Sequence, residues 1–361
     1  MRPVRRPCER ARHRSGGDRF GGSVGSTGMT SASGPGEDGD RRNVSDAAGV
    51  VVLGACAVWA LITAAVHAGR PEGVLLAVLA VAAGYAAGRI CGALLPVAPL
   101  CAAALTGVGL VAAAPRLSPG PEIVAPLGHA GGAAAVLTLS TGAACCAAWA
   151  AHAPLPRLVL RILAAGIVVT AGVLGSVGGC VASGAVLLAS LAAGRMRGHR
   201  GAGFAGLALV AALTTALPWA VAGRALPEGL TASLEGQLTG HRIDLWHDAL
   251  HMARRDAGLG VGPGRFGELS TTAAQSLLSD GKPHSAPLQQ AAEQGVVGVL
   301  LLGAVFCWML STLWRSPRPT PVALTAGAAL TVLAAIASVG SALSFTTVSV
   351  GAGLLAGLAA A

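Results

Sequence analysis

Long apolar segments, separated by short polar turns, make up most of this chain. About ten of them approach the ~20 residues that a helix needs to cross a hydrocarbon core. Inside lipid a segment must satisfy its own backbone groups, which favours helices. The pattern predicts an all-α polytopic membrane helix bundle with spans at residues 48–68, 73–89, 94–114, 124–151, 158–177, 180–194, 203–222, 293–314, 320–338 and 341–360.

Two features leave alternatives within this bundle. The segments 73–89 and 180–194 are short, so one pair could form a re-entrant or kinked hairpin instead. The glycine-rich run at residues 172–179 is typical of helices that pack closely.

Composition indicates a membrane protein and disfavours nucleic-acid binding. Of the 361 residues, 53% are hydrophobic and 11% are charged, whereas soluble domains carry about 25% charged residues. The net charge of +9 comes largely from arginines in the N-terminal tail and near predicted helix ends, whereas nucleic-acid binding needs a basic face. We therefore expect membrane lipids as partners and no nucleic acid.

The pattern divides the chain into four regions. Residues 1–46, in which Met29 is an alternative start, form an Arg- and Gly-rich disordered tail. Residues 47–223 form an N-terminal transmembrane bundle, 224–292 one large polar loop, and 293–361 the C-terminal transmembrane helices.

Arginine placement predicts the orientation in the membrane. With the tail inside, only Arg70 and Arg116 fall in short outer loops, and the inner loops hold Arg89, Arg157, Arg161, Arg195, Arg197, Arg200, Arg315 and Arg318. Cytoplasmic loops carry the excess of positive charge. We therefore expect a multi-pass protein of the inner (cytoplasmic) membrane, with a cytoplasmic N-terminus and an extracytoplasmic 224–292 loop.

The polar loop holds half of the charged and histidine residues outside the tail. Residues 241–256 predict an amphipathic helix, whose apolar stripe comprises Ile243, Trp246, Leu250 and Ala253. Arg242 lies one turn from Trp246 at the edge of that stripe, where a helix-end cation pairing with a carboxylate is the ordinary alternative.

Two turns follow this helix. The glycines between residues 258 and 264 exclude regular structure and predict a turn with positive φ, which could also cradle a phosphate. The second turn ends at His284, and Ser285 is a candidate helix N-cap. Ser285, Gln289 and Glu293 then recur at helical spacing; an ionisable residue near the membrane boundary favours function.

One motif in the helix resembles a zinc-protease signature. His247 and His251 stand at i and i+4 beside Asp248. The acid is one methylene shorter than the usual Glu, and no third ligand is obvious. Two solvated histidines explain the pattern, so we predict no metal.

The two polar blocks together resemble the O-antigen ligase and O-antigen polymerase family of polytopic membrane glycan transferases. The first block pairs Arg242 with Trp246 and continues through the glycines to Phe266. The second begins at His284 and continues to Glu293 and Gly298, with Ser285 where the family usually has Asn. The motifs cover roughly 60 residues, and the layout of many spans with one late outer loop is also similar.

This resemblance implies transfer of a glycan from an undecaprenyl-pyrophosphate-linked donor to a hydroxyl of a glycan or lipid acceptor, with no cofactor. Cationic side chains would stabilise the leaving diphosphate, and a base would remove the acceptor proton. The resemblance implies His284 as catalytic residue and Glu293 as an orienting partner. The resemblance also implies Arg242 as the residue that binds the diphosphate. Further candidate cations are Arg265, Arg255 and Lys282.

The chain departs from the family at two places. A family Ser-Arg-Gly stretch supplies a second diphosphate arginine, and Val177 stands there. Apolar and hydroxyl residues around Ser344 replace an acid near the last span. Either Arg255, Arg265 or Lys282 compensates, or the protein is an inactive assembly partner. A transporter or flippase is the third reading, disfavoured because the spans hold almost no charge.

Overall fold

The computed structural model describes residues 35–117, 130–196, 198–223, 240–275 and 281–361, and these residues form helices and turns with no strand. The chain divides into two compact units, Met1–Arg41 and Arg42–Ala361, and the predicted functional residues all lie in the second.

Seven helices precede the polar loop. They are α1 (Pro35–His67), α2 (Glu72–Leu94), α3 (Ala98–Leu117), α4 (Ala130–Ala150), α5 (Pro154–Val173), α6 (Val177–Ala193) and α7 (Arg200–Ala222). Helix α1 begins inside the tail predicted to be disordered, at a proline, which is favoured in the first helical turn. The rest of that tail, residues 1–34, lies outside the described residues.

The remaining helices comprise the polar loop and the C-terminal region. They are α8 (Gly240–Arg255), the short α9 (Phe266–Leu269) and α10 (Thr271–Ala274), α11 (Ala286–Arg315), α12 (Thr320–Ser338), a 3-10 turn (Ala342–Ser344) and α13 (Thr346–Ala360). Residues 224–239 and 276–280 of the predicted loop lie outside the described residues.

Seven of the described helices are long and apolar enough to cross a membrane, which indicates a multi-pass membrane protein. Three shorter apolar helices, Ala98–Ala114, Val177–Ala193 and Thr346–Ala360, occupy the other predicted spans. The prediction that 73–89 is short was wrong, because α2 continues to Leu94 and has 23 residues.

Helices α4 and α12 form the centre of the bundle. Their most apolar stretches are 83% and 72% buried, whereas those of α2, α5 and α7 are each 22% buried. The central helices are rich in alanine and small polar residues; Thr138, Thr141 and Thr325 satisfy their hydroxyls on carbonyl groups one turn earlier. The outer helices expose leucine and valine, as a lipid-facing surface requires.

Close helix packing occurs between α2 and α13. A Cβ atom added at Gly84 or Gly88 of α2 would collide with backbone carbonyl groups of α13, and one at Gly353 or Gly357 with those of α2. Small residues let two backbones approach in this way. In the run 172–179, where sequence indicated such packing, a Cβ at Gly179 would lie 3.3 Å from Ala134 Cα of α4, whereas Gly175 and Gly178 have space for one.

Arginines bind helix-end carbonyl groups at the end of the bundle where α2 ends and α7 begins. Arg89 donates to Ala360 O at 2.7 Å and Arg318 to Gly92 O at 2.8 Å. Arg200 donates to Leu313 O and Ser316 Oγ. Cations at helix C-termini complement the last carbonyls and the helix dipole.

Residues 240–275 and 281–294, called the cap here, lie at the other end of the bundle. They contain a small core of their own. Trp246, Phe266 and Leu288 are fully buried there, and Val221 and Ala222 from the end of α7 join them. This core attaches the cap to α7 and to the start of α11.

Helix α11 is broken at Gly295, whose φ of 68° and ψ of −164° are not helical. The stretch after the break, residues 296–315, is about 30 Å long at 1.5 Å per residue, which matches a hydrocarbon core. The stretch before the break belongs to the cap.

Candidate functional site

Helix α8 presents its apolar face to the bundle and to α11. The buried residues are Leu245, Trp246, Ala249 and Leu250, so the face is rotated from the predicted stripe, in which Ile243 and Ala253 replaced Leu245 and Ala249. The face is wider than a single stripe because α8 packs against α7 and α11 together.

Trp246 connects α8 to the segment before α11. Its indole N–H donates to Pro283 O at 2.8 Å, and Trp246 is fully buried. His284 follows Pro283 directly. The same bond therefore fixes the candidate base relative to the helix that carries Arg242.

His284 has an unusual backbone for a non-glycine residue, with φ at 50°. Left-handed backbone is disfavoured for residues with a Cβ and persists where the surroundings enforce it; such residues cluster at functional sites. The side chain is half-buried. His284 is thus held in a fixed direction at the start of α11.

Arg242 lies one turn before Trp246 and is half-buried. Its guanidinium donates to Val339 O, at the C-terminal end of α12, at 3.3 Å. A helix rises about 5.4 Å per turn, so Arg242 lies about that distance along α8 from Trp246, whose indole binds the residue before His284. The Trp246–Pro283 hydrogen bond thus connects the helix of Arg242 to the segment of His284.

The glycine turn has the predicted positive φ at Gly260, Gly262 and Gly264, with values of 68°, 97° and 75°. Its backbone binds the broken part of α11. Val261 N–H donates to Ala292 O and Gly262 N–H to Glu293 O, each at 2.9 Å. These two hydrogen bonds therefore attach the glycine turn to the carbonyl groups at the helix break.

Two further hydrogen bonds involve backbone groups beside the break at Gly295. The indole N–H of Trp59, from α1, donates to Gln294 O at 3.0 Å. On the other side of Gly295, Val296 N–H donates to Ala257 O at 2.9 Å. The carbonyl groups of residues 292–294, which the break releases, all have protein donors.

Glu293 is buried, with 5% of its surface exposed. Gln289 Nε2 donates to its carboxylate at 3.3 Å, and the backbone N–H groups of Gly264 and Phe266 are close enough to stabilise its negative charge. The positive charge of Lys282 is close enough to act on it. The N–H groups that could cradle a phosphate bind this carboxylate instead, so Glu293 anchors the glycine turn.

The three additional candidate cations have different positions. Arg265 donates to His67 O at 2.7 Å and lies 3.7 Å from Glu268. Arg255 is exposed in the last turn of α8, about 20 Å along the helix from Arg242 at 1.5 Å per residue. Lys282 is half-buried two residues before His284. Lys282 is thus the candidate nearest in the chain to His284.

Asp248, from the zinc-like motif, binds the start of α10. Its Oδ2 accepts from Ser270 Oγ at 2.7 Å and from Thr272 N–H at 3.2 Å. Burial alone would raise the pKa of Asp248, but these hydrogen bonds outweigh it and hold the pKa below its ordinary value. Within the described parts of the chain, His, Cys, Asp and Glu form no group of three that could hold a metal ion.

The turn between α1 and α2 is a part of this region that sequence reasoning missed. His67 Nε2 lies 3.8 Å from Asp256 Oδ2, and Arg70 N–H donates to Pro263 O at 2.7 Å. Arg70 also lies 3.6 Å from Glu268. The sequence feature that could have indicated this contact is the pair His67 and Arg70, which flank Ala68 and Gly69 directly after the first apolar segment.

Val177 begins α6 and is 76% exposed. The preceding Ser176 caps this helix, because its Oγ accepts from Gly179 N–H at 3.1 Å. Ser344, in the other departure from the family, lies in the 3-10 turn and is exposed. Neither position supplies a charge.

Comparison of the chain with models of known protein families gives no match, and comparison with curated proteins gives none either. The resemblance to O-antigen ligases and polymerases therefore rests on the motif residues and stays a prediction.

Proposed function

We propose that the protein is a membrane glycan transferase that moves a glycan from an undecaprenyl-pyrophosphate carrier to an acceptor hydroxyl. The observation that carries this proposal is the Trp246–Pro283 hydrogen bond. It joins the helix that carries Arg242 to the residue before His284, and a reaction with a diphosphate leaving group and a hydroxyl nucleophile requires these two residues to act close together.

The chemistry assigns the two residues different tasks. Breaking the sugar–phosphate bond develops negative charge on the departing diphosphate, and the Arg242 guanidinium stabilises that charge. The acceptor hydroxyl becomes a competent nucleophile when His284 removes its proton. The fixed backbone of His284 supports this role, because a general base needs a defined direction.

Lys282 is the second cation in this proposal. The position of the family arginine holds Val177, and Arg265 is engaged with His67 O and Glu268. Arg255 lies at the far end of α8. Lys282 shares the segment of His284, so one diphosphate could contact it together with Arg242.

The proposed topology has about ten spans, the N-terminus in the cytoplasm of the inner membrane, and the cap as an extracytoplasmic subdomain. Two observations support it. The arginines that bind helix ends, among them Arg89, Arg200 and Arg318, lie at the bundle end opposite the cap. The stretch of α11 after Gly295 has the length of one span.

A non-catalytic assembly partner with the same fold is the second candidate. The exposed Val177, which leaves the start of α6 without a cation, favours it. A transporter gains no support from the broken helix, because broken transporter helices offer free backbone groups to an ion. Here the released carbonyl groups already bind Val261, Gly262 and Trp59.

Complementation of a deletion strain tests the proposal. Wild type, His284→Ala, Arg242→Ala and the exposed-site control Arg255→Ala are expressed at equal membrane levels, and surface glycan and lipid-linked glycan are measured. We expect wild type and Arg255→Ala to restore the surface glycan. The other two variants should fail and accumulate the lipid-linked donor. Full restoration by all variants would exclude the catalytic assignment and favour the assembly partner.

A further inference from the structure

The first turn of α11 lacks the cap that its sequence should supply. Ser285 occupies the N-cap position, but its side chain makes no capping hydrogen bond. The N–H groups of a first helical turn have no partner within the helix. Pro287 has no N–H, so Ala286 and Leu288 are the donors left in this turn.

The hydroxyl of Ser285 is also unsatisfied. Ser285 is 1% exposed, and its Oγ has no hydrogen-bond partner among the described residues. A buried hydroxyl without a partner is destabilising, and its presence in a native structure needs an explanation. At this helix end, the Ser285 hydroxyl and the first-turn N–H groups of Ala286 and Leu288 are thus donors without an acceptor in the described part of the chain.

The surroundings are suited to a negatively charged acceptor. A helix N-terminus carries partial positive charge and binds phosphate groups through its bare N–H groups. Arg242 is on α8, the helix whose Trp246 binds the segment before α11, and its guanidinium has five N–H donors, of which one binds Val339 O. The segment before the helix adds Lys282.

We infer that the N-terminus of α11 is an oxyanion site in which Ser285 Oγ and the first-turn N–H groups bind a phosphate group. This inference rests on the proposed function, in which that group belongs to the diphosphate of the lipid-linked donor. Ser285 is then a positioning residue for the diphosphate, beside the cation Arg242. Because Ser285 is only 1% exposed, the N-terminus of α11 must open locally before a phosphate group can reach Ser285 Oγ.

Ser270 offers a matched control in the same cap. It is also a buried N-cap serine, at the start of α10, but its Oγ accepts from Ala273 N–H at 3.1 Å and donates to Asp248. Ser270→Ala removes satisfied hydrogen bonds, whereas Ser285→Ala removes an unsatisfied hydroxyl. The two variants should therefore have opposite effects on stability and on binding.

The experiment uses the full chain in nanodiscs of zwitterionic lipid. Dissociation constants for inorganic pyrophosphate and for undecaprenyl pyrophosphate are measured by calorimetry, and the melting temperature is measured without ligand. We expect Ser285→Ala to weaken binding of both about ten- to a hundredfold, as loss of a hydrogen bond to a charged group does. Its melting temperature should not fall. Ser270→Ala should melt earlier and bind normally.

A further variant, Ser285→Asp, places a carboxylate at the N-cap. It should cap α11, raise the melting temperature and abolish binding of both probes, because its own charge occupies the site. Hydrogen exchange of the Ala286 and Leu288 amides should slow when pyrophosphate binds to wild type, since both N–H groups then donate to the phosphate.

The outcomes separate this inference from the proposed function. Equal affinity of wild type and Ser285→Ala for the lipid diphosphate overturns the inference and leaves a donor-binding protein. Binding of inorganic pyrophosphate that depends on Ser285, without binding of the lipid, supports the oxyanion site and overturns the donor. No binding of either probe, or a lower melting temperature of Ser285→Ala, also overturns the inference.

Discussion

The indole N–H of Trp246 and the carbonyl oxygen of Pro283 form a buried hydrogen bond of 2.8 Å between α8 and the residue before His284. It spans 37 residues of sequence and joins the two polar blocks that carry the predicted chemistry. The geometry of the candidate site depends on this bond more directly than on either block alone.

Trp246→Phe tests that dependence. The substitution keeps an aromatic ring in the core of the cap but leaves Pro283 O without its donor, which costs about 1–3 kcal/mol for a buried group. We expect a lower free energy of unfolding and faster hydrogen exchange at residues 281–286, measured by mass spectrometry. Trp314→Phe is the control, because Trp314 is 53% exposed and exposed substitutions change stability by about 0.5 kcal/mol or less.

Gly260→Ala should be one of the most damaging single substitutions in the cap. Gly260 has a φ of 68°, and a Cβ would lie 2.5 Å from the carbonyl carbon of Glu293. Left-handed backbone and overpacking together cost about 2–5 kcal/mol. Gly258→Ala is the matched control in the same turn, since its Cβ would meet nothing closer than Asp256 Oδ1 at 3.9 Å. Similar thermal stability of the two variants would contradict the tight contact with α11.

Much of the fold follows from local sequence, because an apolar segment in lipid has few alternatives to a helix. All predicted spans coincide with apolar helices, although three are shorter than a full span. The positions of close packing were not predictable in the same way. The glycines of 172–179 form a conspicuous run, yet the tight contact uses Gly84 and Gly353, whose partners are distant in sequence.

The geometry of the candidate site was likewise only partly predictable from the sequence. Helical spacing placed Trp246 on a buried face, but spacing could not show that α7 and α11 flank α8 and bury Leu245 and Ala249 as well. Residue type predicted a turn with positive φ and left a phosphate cradle as the weaker alternative for its N–H groups. The structure gives them the carboxylate of Glu293, a pairing that depends on the break at Gly295 and on folding of the whole cap.

Asp248 should give the cap a measurable acid sensitivity. The pKa of Asp248 lies below its ordinary value of about 3.9, so its stabilising effect is present above the unfolded pKa and is lost as the pH falls through the lower, folded pKa. We expect the melting temperature of wild type to fall more steeply below about pH 4 than that of Asp248→Asn. Parallel curves for the two proteins would show that the contacts with Ser270 and Thr272 contribute nothing.

Glu293→Gln should loosen the glycine turn. A glutamine keeps one acceptor oxygen but presents an amide group, itself a donor, to one of the N–H groups of Gly264 and Phe266. We expect a loss of about 1–3 kcal/mol and faster exchange of the amides between residues 261 and 266. Glu268→Gln is the control: its carboxylate is exposed, and exposed ion pairs contribute about 0–1 kcal/mol. Unchanged protection in Glu293→Gln would contradict the anchoring role.

The identity of the second cation can be decided by comparing Lys282 with Arg255. If Lys282 contacts the donor diphosphate together with Arg242, Lys282→Ala should slow consumption of undecaprenyl-pyrophosphate-linked glycan about ten- to a hundredfold, the effect of losing roughly 1.4–2.7 kcal/mol of transition-state stabilisation. Lys282→Arg should retain part of the rate, because it keeps the charge. Arg255→Ala should match wild type, since Arg255 is exposed at the opposite end of α8 from Arg242. Because Lys282 also acts on Glu293, melting temperatures are compared first, and rates are interpreted for variants that fold as wild type does. A slow Arg255→Ala beside a normal Lys282→Ala would move the diphosphate to the far end of α8 and separate it from His284.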